Sequence, residues 1–151
     1  MTTAKRILLV EDSLNDVELT LTALAENHLA NEVVVVNDGQ EALDYLYRRG
    51  KYKLRFGGNP VLVLLDIKLP KVDGLEVLQR MREDPELKMV PVVMLTSSRE
   101  EQDIIRSYKI GVNAYVVKPV EFHDFVRAIN ELGLFWAVIN QPPPGSSPAA
   151  E

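Results

Sequence analysis

Five polar side chains stand directly after short apolar runs, and their types could hold a metal ion and a phosphoryl group. They are Glu11, Asp12, Asp66, Thr96 and Lys118. Clustered carboxylates favour a hard cation such as Mg²⁺, which prefers oxygen ligands. A lysine ammonium and a threonine hydroxyl supply the charge and the donor that phosphoryl oxygens need. Asp66 follows the most apolar run, so it is the predicted carboxylate nucleophile.

The apolar runs themselves predict five buried strands that alternate with helices. Residues 61–65 are all apolar and are bounded by turn residues, which is typical of a central strand in a parallel sheet. The alternation predicts an α/β fold, a (βα)₅ doubly wound parallel sheet with right-handed crossovers. Carboxyl ends of parallel strands share one edge, so we expect the five polar residues to meet there. The other predicted strands are 7–10, 32–36, 90–95 and 114–117.

The first and last helices have clear sequence signals. Ser13 and Asp16 have the spacing of a capping box. Leu14, Val17, Leu21 and Leu24 then recur at helical spacing, which predicts a helix that ends near residue 27 or 28. The last helix is predicted to begin near Val120, with an apolar stripe formed by Phe122, Phe125, Val126, Ile129 and Leu132.

A basic connection separates the second predicted helix from the third strand. Residues 48–60 contain five basic residues, three glycines and a closing proline. Long connections of this kind are often functional. Two interpretations stay open at this stage: the segment contacts an acidic partner, or it is a solvated surface loop.

Composition limits the possible functions. The chain has 151 residues, 46% of them hydrophobic, which fits a single domain. A net charge of −5 argues against nucleic acid or a membrane surface as the main partner. The absence of cysteine excludes disulfides and thiol catalysis, and two histidines are too few for a histidine-rich metal site. Without a signal peptide or a long apolar run, a cytoplasmic protein is expected.

Four motifs resemble those of response-regulator receiver domains of two-component signalling. They are Ile-Leu-Leu-Val-Glu-Asp-Ser at 7–13, Val-Leu-Leu-Asp-Ile-Lys-Leu-Pro at 63–70, Met-Leu-Thr-Ser-Ser at 94–98 and Tyr-Val-Val-Lys-Pro at 115–119. The resemblance extends over about residues 5–132. It implies the flavodoxin-like strand order 2-1-3-4-5.

The resemblance also implies roles for the polar residues. Asp66 would accept a phosphoryl group from the phosphohistidine of a sensor histidine kinase, and Lys118 would pair with the phosphoryl oxygens. The bond between Lys118 and Pro119 would be cis. The implied ligands of Mg²⁺ are Asp12 and Asp66 directly, Glu11 through water and the backbone carbonyl of Lys68.

A conformational switch is part of the same resemblance. Thr96 would move toward the phosphoryl group, and Tyr115 would turn into the space that it leaves. This change would reshape the surface of the fourth helix, fifth strand and fifth helix. The alternative for Tyr115 is an ordinary strand aromatic. Lys68 and Ser98 occupy positions that tune phosphoryl lifetime in the family, and the direction of their effect stays open.

The predicted organisation is a single receiver domain over residues 1–139 with a C-terminal helix extension, followed by a flexible proline-rich tail over 140–151. The chain is similar to the small regulators that work with bacterial and cyanobacterial phytochromes, so a phytochrome-type histidine kinase is the implied partner. Phe135, Trp136 and Ile139 would form an exposed apolar patch, which predicts a homodimer contact. Packing of these residues onto their own domain is the alternative.

Two other functions are less consistent with the sequence. A haloacid-dehalogenase-type enzyme also uses a strand-end aspartate with Mg²⁺, but it needs a second aspartate where this chain has Lys68. A pseudo-receiver, which acts as an interaction module without phosphorylation, would be expected to lose Asp66 or Lys118. Both residues are present. The sequence therefore predicts a phosphoacceptor signalling protein rather than an enzyme with an external substrate.

Overall fold

A computed structural model of the chain describes residues 6–25, 32–97, 100, 106, 109–111 and 114–133. The strands are β1 (Arg6–Val10), β2 (Glu32–Val36), β3 (Leu62–Asp66), β4 (Val92–Thr96) and β5 (Ala114–Val117). The helices are α1 (Leu14–Ala25), α2 (Gly39–Tyr47), α3 (Gly74–Glu83) and α4 (Phe122–Glu131), with a single 3₁₀ turn at Gly50–Tyr52. No helix within these ranges is long and apolar enough to cross a membrane.

All five strands are parallel and form one sheet in the order β2-β1-β3-β4-β5. This confirms the predicted fold class and strand order. Every residue of β3 is buried, as the unbroken apolar sequence predicts for a central strand. In the register, Val10 of β1 pairs with Leu65 of β3, and Asp66 pairs with Leu95 of β4. The residues that follow these strands therefore reach the same edge.

Helices cover both faces of the sheet because successive side chains of each strand point to opposite sides. Leu8 and Val63 lie in the apolar layer that packs against α2 and α3. Leu9 and Leu64 lie in the layer that packs against α1 and α4. Burial of each leucine side chain contributes about 2 kcal/mol to the free energy of folding. This rigid sheet fixes the positions of its strand ends.

Side chains cap the helices that begin near the sheet's carboxyl edge. The Asp38 carboxylate accepts a 2.7 Å hydrogen bond from the backbone N–H of Glu41 and begins α2. Asp73 caps α3 in the same way, accepting at 2.9 Å from the N–H of Glu76. An oxygen acceptor at this position satisfies an N–H group that has no partner within the helix.

Three predicted details are wrong. Leu14 does not belong to the buried face of α1; it is 75% exposed, and that face is formed by Val17, Thr20, Ala23 and Leu24. β4 begins at Val92 rather than at residue 90, because Pro91 cannot donate to a strand ladder. α4 begins at Phe122 rather than near Val120, after Glu121 in extended conformation.

Other predictions lie outside the described residues. The end of the first helix near 27–28 is one, and most of the helix predicted between the fourth and fifth strands is another. The C-terminal extension with Phe135, Trp136 and Ile139, and the tail over 140–151, lie there as well.

The basic connection 48–60 is held against the body of the protein. The Arg55 guanidinium lies 4.3 Å from the centre of the Tyr45 ring and donates 3.0 Å hydrogen bonds to the carbonyls of Tyr45 and Gly58. Leu54, the residue before it, is 90% exposed. The Arg55 guanidinium, one of the five basic groups of this segment, thus binds within the chain. Its contacts fix a loop that carries the exposed apolar side chain of Leu54.

Candidate functional site

A cleft of about 190 Å³ opens at the carboxyl edge of the sheet. The five polar residues predicted to meet at this edge all line it, and so does Lys68, the implied backbone ligand of the metal ion. The five are Glu11, Asp12, Asp66, Thr96 and Lys118. Glu11, Asp66 and Thr96 are buried, whereas Asp12 and Lys68 are exposed. The structure therefore brings together, in one small polar cavity, groups that come from four separate parts of the chain.

The strand ends position these side chains. Glu11 directly follows β1, and its N–H donates to the carbonyl of Val36 at 3.0 Å, which continues the ladder by one residue. Ile67 follows β3 in the same way and donates to the carbonyl of Leu95 at 3.0 Å. The Lys118 N–H donates to the Thr96 carbonyl at 2.8 Å. Backbone hydrogen bonds thus attach Glu11, Lys118 and the residue after Asp66 to the rigid sheet.

The Lys118 ammonium lies at the centre of the cleft. Its Nζ donates to Glu11 Oε1 at 2.9 Å, to Asp66 Oδ2 at 3.0 Å and to Asp16 Oδ2 at 3.1 Å. The side chain is only 8% exposed. The peptide bond between Lys118 and Pro119 is cis, as the resemblance implies. This one cation compensates part of the negative charge of the carboxylates around it.

The charges of the cleft influence one another strongly. Burial raises the pKa of Asp66 to about 7; the neighbouring Glu11 charge adds to this rise, and Lys118 opposes it. Burial alone would lower the pKa of Lys118, but its hydrogen bonds to Glu11 and Asp66 outweigh that effect and raise the pKa. Lys118 therefore stays an ammonium at neutral pH, while the raised pKa leaves Asp66 partly protonated there.

Three carboxylates of the cleft form a group that fits a divalent cation. Glu11, Asp12 and Asp66 each offer an oxygen, and these oxygens lie within 4.8 Å of one another. When ionised, these three carboxylates carry more negative charge than the single positive charge of Lys118 can balance. A bound cation would therefore reduce the repulsion among them. Oxygen donors alone favour Mg²⁺ or a similar hard ion over metals that prefer nitrogen or sulfur.

A close backbone approach holds Asp66 in place. Gly74, the first residue of α3, donates its N–H to the carbonyl of Ile67 at 2.8 Å. A Cβ atom on Gly74 would lie 1.9 Å from the Asp66 carbonyl oxygen, which no side chain tolerates. The absence of a side chain at Gly74 thus lets α3 begin directly against the strand that carries Asp66.

Thr96 and Tyr115 lie on adjacent strands. Tyr115 pairs with Met94, two residues before Thr96, so Thr96 and Tyr115 point to the same face of the sheet. Thr96 lines the cleft, whereas Tyr115 is 38% exposed and lines a separate surface pocket of about 550 Å³ between β5 and α4. Ser98, the second predicted lifetime-tuning position, lies outside the described residues.

Asp16 is a site residue that the sequence interpretation missed. The capping box assigned its carboxylate to the start of α1, but only half of that motif forms: Ser13 Oγ accepts from the Asp16 N–H at 3.3 Å. The N–H of Ser13 donates instead to Glu11 Oε2 at 3.2 Å. The Asp16 carboxylate faces Lys118, which is 102 positions away in the chain. No local sequence signal connects two such residues.

The chain is similar to known signalling proteins. Residues 7–130 match the response regulator receiver domain family. Response regulator Rcp1 from Synechocystis sp. is 39% identical over 132 residues, which make up 87% of this chain and 88% of Rcp1.

Solved structures of response regulators are also similar to this chain. The bacteriophytochrome response regulator AtBRR superposes with a TM-score of 0.84 at 63% identity, covering 93% of this chain and 100% of that one. The phosphorylated cyanobacterial phytochrome response regulator RcpA gives a TM-score of 0.74 at 40% identity over 94% of this chain and 99% of its own. The Mn²⁺-bound form of Rcp1 gives 0.72 at 39% identity, with 87% and 94% covered.

Proposed function

Because the chain belongs to the response regulator receiver domain family, we propose that it is a single-domain response regulator that accepts a phosphoryl group on Asp66. The contact between Lys118 Nζ and Asp66 Oδ2, beside a group of three carboxylates, is the observation that carries this proposal. The proposal is supported because a carboxylate that can act as a nucleophile, a fixed positive charge and a candidate cation site lie within one cleft. The similarity to AtBRR and RcpA along nearly their whole length supports the single-domain organisation.

The proposed transfer uses the ionised form of Asp66. One carboxylate oxygen forms a bond to phosphorus while the bond from phosphorus to the kinase histidine nitrogen breaks, and that electron pair leaves with the imidazole. Lys118 donates to the phosphoryl oxygens, over which the negative charge is spread in the transition state. Asp66 needs no proton acceptor of its own, because the carboxylate is already charged when it attacks. The protein thus catalyses only its own phosphorylation and dephosphorylation.

We assign Mg²⁺ as the cation of this cleft. Asp12 and Asp66 would bind it directly, Glu11 through water, and the backbone carbonyl of Lys68 would complete the protein ligands. The ion would supply positive charge that the phosphoryl oxygens share with Lys118. The oxygen-only donor set supports this assignment, as does the Mn²⁺-bound form of the relative Rcp1.

Output would depend on Thr96 and Tyr115. Thr96 would move toward the phosphoryl oxygens, and Tyr115 would rotate inward from its partly exposed position. The common face of these two side chains supports the coupling. The surface formed by the predicted fourth helix, β5 and α4, which is the predicted fifth helix, would change shape and bind its partners differently.

The phytochrome relatives suggest the input. A phytochrome-type sensor histidine kinase in the cytoplasm is the proposed phosphoryl donor, since AtBRR and RcpA are phytochrome response regulators. A homodimer through Phe135, Trp136 and Ile139 is the proposed assembly.

Phosphotransfer from a purified bacteriophytochrome kinase tests the proposal. The kinase is autophosphorylated with radiolabelled ATP and mixed with the native chain or with Asp66→Asn. The expected result is transfer of the label to the native chain, dependent on Mg²⁺, and none to the variant. Label retained on Asp66→Asn would contradict the assignment. If neither this kinase nor acetyl phosphate labels the native chain, the protein is instead a phosphorylation-independent interaction module.

A further inference from the structure

We propose that Asp16 is a positioning residue for Lys118. Its carboxylate is not one of the three that fit a divalent cation, and it holds the Lys118 ammonium in place during phosphoryl transfer. This inference rests on the proposed function of Asp66 and Lys118. The Lys118 ammonium has three N–H donors. Glu11, Asp66 and Asp16 accept all three, at 2.9, 3.0 and 3.1 Å.

The three acceptors of Lys118 differ in what else they must do. Glu11 and Asp66 belong to the group of carboxylates that fits a divalent cation. A bound cation would attract the oxygens of both residues. Phosphorylation would in addition turn one carboxylate oxygen of Asp66 into the oxygen that is bonded to phosphorus. Asp16 is not a member of that group. Its hydrogen bond to Lys118 is therefore the one that neither cation binding nor phosphorylation removes.

The local structure of α1 leaves the Asp16 carboxylate available for this role. Asp16 is in the first turn of the helix, and its N–H is bonded by Ser13 Oγ. The reciprocal bond of a capping box is absent because the Ser13 N–H is bonded by Glu11. The carboxylate side chain is 30% exposed and reaches into the cleft, of which it forms one wall.

The geometry around Lys118 gives Asp16 a distinct effect. Glu11 and Asp66 come from the ends of β1 and β3, whereas Asp16 comes from the first turn of α1. Charge-assisted hydrogen bonds are stronger than neutral ones. The lysine side chain has four rotatable bonds, so without the third hydrogen bond it adopts more conformations. The ammonium is then positioned less accurately beside the phosphoryl oxygens.

The test compares Asp16→Asn with Glu18→Gln. Both variants remove one negative charge from α1, but Glu18 is exposed and lies outside the cleft. Rates of phosphorylation are measured across acetyl phosphate concentrations with saturating Mg²⁺, and Mg²⁺ affinity is measured by titration calorimetry. For Asp16→Asn we expect the ratio of maximal rate to half-saturating concentration to fall about fivefold. Mg²⁺ affinity should change by less than about threefold, and Glu18→Gln should behave as the native chain.

An ¹⁵N spectrum of the lysine ammonium groups supplies a readout that needs no phosphorylation. A buried Lys118 with three acceptors exchanges its protons slowly, so its signal should be visible in the native chain and in Glu18→Gln, and lost or shifted in Asp16→Asn. A native signal and a native phosphorylation rate in Asp16→Asn would overturn the inference. So would a loss of Mg²⁺ affinity as large as the loss of rate. If the native chain takes no phosphoryl group, the proposed function fails, while the ammonium signal still tests the Asp16 anchor.

Discussion

Lys118 Nζ lies 3.0 Å from Asp66 Oδ2, although 52 residues separate the two in the chain. Asp66 ends β3 and Lys118 follows β5, with β4 between these strands in the sheet. The contact therefore depends on the packing of three neighbouring strands in the folded sheet. This cluster of charges leads to separate predictions for stability, for metal binding and for the proposed phosphoryl transfer.

Without metal, ionisation of Asp66 should destabilise the fold. Burial raises its pKa to about 7 in the folded chain, against about 4 in an unfolded one. Between these values the folded state binds more protons than the unfolded state, so the free energy of unfolding falls as pH rises. We expect Asp66→Asn to be more stable than the native chain at pH 8, by about 1–2 kcal/mol, in urea titrations with a chelator.

The same titrations contain their own control. Below about pH 4 the carboxyl is protonated in both states, so the advantage of Asp66→Asn should shrink toward zero. An advantage that is equal at pH 4 and pH 8 would show that proton binding by Asp66 is not its cause.

The affinity for Mg²⁺ should also depend on the protonation state of Asp66. A cation needs the ionised form of Asp66, so binding must release the proton that the folded chain holds below about pH 7. Mg²⁺ affinity is expected to fall by up to about tenfold per pH unit below that point, and to level off above it. Calorimetry from pH 5.5 to pH 8.5 checks the profile. A flat profile across this range would mean that Asp66 is not a ligand.

The fold and the main residues of the site follow from the sequence because their signals are local. Residues 62–65 are apolar and end at Asp66, and this pattern alone predicts both the buried strand and the edge at which the carboxylate lies. Lys118 follows a strand in the same way. Once parallel strands are predicted, the meeting of their carboxyl ends requires no further information.

Gly74→Ala tests the close approach beneath Asp66. The new methyl group would lie 1.9 Å from the Asp66 carbonyl oxygen, so either α3 or the end of β3 must move. We expect a loss of about 2–4 kcal/mol in the free energy of unfolding, together with slower phosphorylation. Gly58→Ala is the matched control, because a Cβ atom at Gly58 meets nothing within 4 Å. Equal stability of the two variants would contradict the account of Gly74.

Arg55→Ala tests the anchoring of the basic connection. The change removes a stacked guanidinium and its hydrogen bonds to the carbonyls of Tyr45 and Gly58. A loss of about 1–3 kcal/mol is expected, with faster hydrogen exchange of the backbone over residues 48–60. Lys53→Ala removes the same charge from an exposed side chain and should have little effect. If both variants exchange alike, charge rather than packing holds the segment.

The features that the sequence did not predict depend on tertiary contacts. Leu14 matched the helical spacing of the apolar residues in α1, but it lies one turn before the part of the helix that packs on the sheet, and it is exposed. Thr20 is 1% exposed although its hydroxyl makes threonine an unusual core residue. Asp16 had a local explanation as a cap, and only the folded chain shows its carboxylate at Lys118.

Asp66 is proposed to accept a phosphoryl group with the help of a divalent cation. Intact mass spectrometry after incubation with acetyl phosphate, with Mg²⁺ or with a chelator, tests it most directly. We expect the native chain to gain one phosphoryl group with Mg²⁺ and almost none with the chelator, and Asp66→Asn to gain none. An equal gain in the variant, or no gain in the native chain under any condition, would contradict it.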